Sequence, residues 1–109
     1  MRPRLASSVL VSALIRQAET EGGFAAVLAK GDADAGSILV VLTERGANAL
    51  VHERLLQPDG NYAWGEAPAG SEPISDLVAR RRQFDPDLWV VELDVPSQQR
   101  FADEMKAFD

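Results

Sequence analysis

The chain has no cysteine and a single histidine. The first absence excludes disulfides, Cys-ligated zinc and iron–sulfur clusters, so the fold must stand on packing alone; it also fits a reducing cytoplasm, the expected location. The second leaves His52 with no other His and no Cys to share a metal or build a nucleophile–base couple. Positive charge is scarce as well: 11 Lys and Arg stand against 17 Asp and Glu, a formal net charge of −6. Sequence-independent nucleic-acid binding needs cations to displace the counterions of phosphates, so nucleic acid is disfavoured as a partner. Long apolar runs are missing too. The run from Leu5 to Ile15 falls short of the roughly 20 residues of a membrane span and is broken by Ser7, Ser8 and Ser12. Behind Met1-Arg-Pro-Arg4 it imitates a secretory leader, but Arg16 follows at once and processing is not expected.

What remains is enough for one domain. Apolar residues make up 46% of the 109, and a chain of this size buries about two thirds of its unfolded surface around one core. Residues 1–109 are therefore read as a single α+β domain. Its centre is the stretch from Phe24 to Leu55, which reads as three short strands joined by tight turns. Ile38 to Leu42 is apolar on both faces and demands cover above and below.

A first helix, capped by Ser7 or Ser8, ends at Gly22-Gly23 and turns Leu10, Val11, Leu14, Ile15 and Ala18 to one side. Tyr62-Ala-Trp64 extends the meander as an edge strand, and the Gly-, Ala- and Pro-rich segment Gly65 to Glu72 reads as a mobile loop. A second helix opens near Pro73 and stops at Asp85-Pro-Asp87. Leu88 to Val95 is the clearest strand, with Trp89, Val91, Leu93 and Val95 on one face. Pro96-Ser97 opens a terminal helix whose Phe101, Met105 and Phe108 form a docking stripe for the sheet edge or a second subunit. The expected architecture is an antiparallel meander of three to four strands, a last strand returned by the second helix, and helical cover; that last strand is free to run parallel to a neighbour.

Few residues carry chemistry. The turn Gly31 to Gly36 holds Asp32 and Asp34, but a calcium loop needs a third oxygen ligand before its glycine and a Glu at the twelfth position, where Thr43 stands. Each Asp is expected to bond local backbone amides, with both glycines at positive φ. His52 lies on the wetter face of its strand, and Trp64 closes the core edge or lines a pocket beside the loop. On the second helix, Leu77, Val78 and Phe84 define a buried stripe with Ile74. Arg81 falls about 20° from Ile74, inside that stripe, whereas Arg80 and Arg82 fan outward as a solvated face. A cation so placed must snorkel or meet a carboxylate. The expected partners are Asp85, Asp87, Glu92 or, across the fold, Asp34. No catalytic residue, metal site or cofactor is assigned.

The early amphipathic helix, Gly31-Asp-Ala-Asp-Ala-Gly36, and the run Arg82-Gln-Phe-Asp-Pro-Asp-Leu-Trp-Val-Val-Glu92 together resemble a family of short alphaproteobacterial proteins known as domain of unknown function 1491. The resemblance covers nearly the whole chain. It implies a small bacterial protein and carries over no activity, cofactor or catalytic residue.

Two functional classes follow. The first is a non-enzymatic binding or assembly module, with a protein partner or a second copy of itself, offering a strand edge, the Trp64 loop or the terminal helix. The second is a magnesium-dependent nuclease of the restriction-endonuclease type, with Asp34 and Glu53 as carboxylates; Leu55 occupies the position where such an enzyme needs lysine. The first is preferred, because no nucleophile, base or ligand set converges in the sequence.

Overall fold

The computed structural model describes residues 5–67 and 72–108. The basic start of the leader-like segment and residues 68–71 of the expected loop lie outside the described residues. The elements are α1 (Ser7–Thr20), β1 (Phe24–Ala29), β2 (Ile38–Glu44), β3 (Ala47–Leu56), β4 (Tyr62–Ala67), α2 (Ile74–Phe84), β5 (Trp89–Val95) and α3 (Gln98–Met105). Residues 65–67, expected in a loop, are the end of β4.

The five strands form one mixed sheet in the order β1-β5-β2-β3-β4. The antiparallel meander is β2-β3-β4, not β1-β2-β3. Strand β5 enters between β1 and β2, antiparallel to the first and parallel to the second. This corrects the expectation of an antiparallel sheet built on the stretch from Phe24, and the reason is side-chain character. Ile38 to Leu42 are all buried on both faces, and Leu88 to Val91 and Leu93 are nearly as dry. Two such strands gain most when each shields the other, since burying an aliphatic side chain contributes about 1.5–3 kcal/mol. β1 carries three alanines and leaves Phe24, Val27 and Leu28 partly in water, so it takes the edge.

Helices cover both faces. α1 and α3 lie over Ile38, Val40, Leu42, Trp89, Val91 and Leu93, with Leu10, Leu14, Phe101 and Met105 in the larger core. α2 lies over Leu39, Val51, Leu88 and Val90 through Leu77, aided by Ile74 and Val78. The terminal stripe of Phe101 and Met105 thus docks on the chain's own sheet. Phe84 departs from the expected α2 stripe: it is 84% exposed, because the helix ends there and Asp85 turns away in extended conformation.

Local chemistry sets the joints. α1 has no side-chain cap; its Ser7 and Ser8 amides donate to the carbonyls of Asp34 and Ala33, and the Ser7 hydroxyl donates to Gly36 O at 2.6 Å. Gly22, at φ +87°, closes α1. Arg45 and Gly46 both take positive φ, the geometry of a two-residue hairpin turn. The Asp94 carboxylate holds this turn from β5, accepting from Gly46 N at 2.7 Å and Thr43 Oγ1 at 2.8 Å. At the start of α3, Gln98 donates from its side chain to the carbonyls of Leu42 and Asn48, anchoring the helix to the hairpin.

Candidate functional site

The acidic loop between β1 and β2 is a structural hub. The Asp32 carboxylate accepts from the amides of Asp34 at 3.1 Å and Ala35 at 2.8 Å, and the Trp89 indole donates to Asp32 O at 2.6 Å. Tyr62 Oη donates to Ala35 O at 2.9 Å, tying the β4 edge to the same loop. Gly31 and Gly36 do not take positive φ, contrary to expectation. They are needed because a Cβ on either would run into the Asp87 carbonyl. Asp34 contributes its backbone carbonyl to the start of α1.

Arg81 does meet a carboxylate, but its partner is Glu53 on β3, at 2.7 Å, rather than Asp85, Asp87, Glu92 or Asp34. Glu53 shares the α2 face of the sheet with Val51, and Arg81 comes down on it from the helix. Asp85 instead accepts from the Asp87 amide at 3.2 Å within the helix stop. Glu92 sits between Val41 and Ala26 in the strand register. Arg82 is more than a solvated side chain: it donates to the carbonyls of Lys30 and Leu88, both at 2.9 Å, and pins the end of β1 to the start of β5. Arg80 pairs with Glu72 at 2.6 Å in water. Of the carboxylates of the nuclease reading, Asp34 lies in the loop that meets the start of α1, while Glu53, on β3, is taken up by Arg81. Among the described residues no group of three or more His, Asp or Glu is placed to hold a metal ion.

His52 is buried, not wet. It lies opposite Val40 in β2 and Glu66 in β4, beneath the end of α3, beside a hollow of about 100 Å³ shared with Trp64, Met105 and Lys106. Its Nε2 has no hydrogen-bond partner among the described residues. Burial pushes its pKa below the ordinary value, Glu66 opposes that shift, and Lys106 adds to it. Trp64 packs against the larger core, and its indole donates to Phe108 O at 3.3 Å. Two residues along β3, Arg54 is 2% exposed and stacks on Tyr62, its guanidinium carbon 4.5 Å from the ring centroid. Sequence alternation placed His52 on a wet face; the cover from Met105 and Lys106 at the end of α3 is what alternation within one strand cannot show.

The polar groups that sequence singled out are thus largely occupied in holding the fold. Among the described residues both edge strands, β1 and β4, are unpaired on their outer side; β4 carries Glu66, and the apolar edge is β1. Phe24 is 74% exposed, Val27 46% and Leu28 44%, and Phe24–Ala29 contains no charged residue and no proline. Proteins ordinarily blunt such an edge with Lys, Pro, a bulge or a covering segment. Here the one device is a bulge between Val27 and Ala29. Beside Phe24 a cleft of about 430 Å³ opens towards Arg45 and Pro96.

Fold and site together define a small α+β domain: a mixed five-stranded sheet between helices, with an open apolar edge. The chain belongs to the family described as protein of unknown function (DUF1491), whose model matches residues 5–103, as the resemblance in the sequence implied. No curated protein matches it. Among solved structures it is similar to protein Atu0922 from A. tumefaciens, determined in solution: 35% identity, TM-score 0.74, covering 91% of this chain and 92% of that one. It is also similar to a DUF1491 family protein from Caulobacter crescentus CB15. The crystal structure gives 39% identity, TM-score 0.70, and 89% and 94% coverage; the NMR structure gives 37%, 0.75, and 92% and 94%. No helix of the described residues is long and apolar enough to cross a membrane.

Proposed function

We propose that this protein is a non-enzymatic, cytoplasmic binding module that takes up a protein partner by strand addition at β1. The observation that carries the reading is that uncovered edge: a run without charge or proline, three large apolar side chains partly in water, and backbone groups on the outer side that no described segment of the chain pairs. An added strand would satisfy those backbone groups, while Phe24, Val27 and Leu28 would supply side-chain selectivity. The engagement of Arg81, Asp32, Asp85 and Trp89 in internal contacts supports the same reading, since it gives them a structural part and leaves no convergent set for chemistry among these four.

The test is affinity capture from the source cell, comparing the unmodified chain with a Phe24→Asp, Val27→Lys variant. Both positions are exposed, so the variant should fold. A partner retained by the unmodified chain and lost by the variant is the expected result. Equal retention by both would move the binding surface elsewhere and overturn the reading.

A further inference from the structure

We infer that the end of α3 is an acid-sensitive latch: a proton on His52 releases the segment from Met105 to Phe108 and bares the Trp64 ring, while the strands stay paired. His52 is 7% exposed and, opposite Val40, points to the face of the sheet that α1 and α3 cover. Its Nε2 has no hydrogen-bond partner among the described residues, and Trp64 and Met105 wall the hollow beside it. An uncharged imidazole fits such a site. A charged one loses water and gains no acceptor there, and an ion buried without a partner is costly.

The charged groups around His52 favour release. Lys106, at the end of α3, brings a like charge to the hollow. Arg54, two residues along β3, is a second cation on the same face, stacked on Tyr62 of β4. β2 sets only Val40 opposite, and Glu104 of α3 is turned to Gln17 and Arg100. The one carboxylate at hand is Glu66, directly across on β4. Lifting the end of α3 removes Lys106, admits water and lets Glu66 close on the imidazolium. The latch is also light. Gln98 ties the start of α3 to the hairpin, but beyond Met105 the described contacts with the sheet are the Trp64 indole bonded to Phe108 O at 3.3 Å and the half-buried Phe108 side chain. A segment with so few buried contacts opens at a lower free energy than the whole domain. Because the open form takes the proton more readily, opening should grow by up to about tenfold per pH unit below about pH 6.5 and level off below the closed-form value.

The two tryptophans make the test clean, because Trp64 is bonded to the latch and the Trp89 indole donates to Asp32 O in a different loop. Two-dimensional proton–nitrogen NMR spectra of the whole chain would be recorded between pH 7.5 and 5. The expected result is that the Trp64 indole and Phe108 amide signals move together as pH falls, while the Trp89 indole and the β5 amides keep their positions. A Trp64 signal unmoved down to pH 5 would overturn the latch, as would loss of both indole positions at one pH, which is unfolding of the whole domain. His52→Gln should abolish the movement, and its persistence would overturn the role of His52. Lys106→Gln, at an exposed site, keeps the test decisive if the first variant does not fold: with the like charge gone, the movement should shift to lower pH, and an unshifted or raised midpoint would overturn the mechanism.

Discussion

Replacing Arg81 with alanine tests how α2 is held to the sheet. Its guanidinium lies 2.7 Å from Glu53, with the two side chains 26% and 19% exposed. A surface pair of this kind would contribute at most about 1 kcal/mol, and a fully buried carboxylate stripped of its cation would cost about 3–5 kcal/mol. This pair lies between those limits, so Arg81→Ala is expected to cost about 2 kcal/mol. With an unfolding entropy of about 2.1 cal/mol/K per residue, a domain of this size should then melt about 9 °C lower. Part of that loss belongs to the arginine stem packed in the α2 stripe, so the pair itself needs a double-mutant cycle with Glu53→Gln. Urea denaturation of the two single variants and the double variant should give a coupling of about 1–2 kcal/mol. Independent losses, with coupling below about 0.5 kcal/mol, would refute the assignment of Glu53 as the partner that holds Arg81.

Two further outcomes follow from buried groups. His52 has a lowered pKa in the folded state, so the unfolded chain binds its proton more readily; stability from this group is complete above about pH 6.5 and is lost as pH falls through the folded value. Urea curves between pH 7.5 and 5 should show that loss, a His52→Gln variant should show less of it, and an unchanged slope would contradict the burial argument. Gly36→Ala would drive a Cβ into the Asp87 carbonyl and should cost at least about 2 kcal/mol, read as a melting point roughly 9 °C lower; an unchanged melting point would show that the loop has room.

The faces of the helices and of β5 were legible from periodicity, since Leu10, Leu14, Trp89, Val91 and Leu93 all point as their phases require. Strand order was less so. The apolar character of β5 on both faces marks a central strand as clearly as that of β2, and this was the available signal that it would displace β1 to the edge. The inward phase of Arg81 was readable on its helix, but its partner was not, because Glu53 is 28 residues away and the pairing depends on which face of β3 meets α2. Gln98, Arg82 and Arg54 gave no such sign, for their partners are carbonyls, a strand junction and a ring brought close only by the assembled sheet.

The most direct test of the account is capture of a partner from the source cell by the unmodified chain, beside Val27→Lys. The account predicts a partner held by the unmodified chain and lost with the lysine. Retention of the same partner by both would contradict binding through β1.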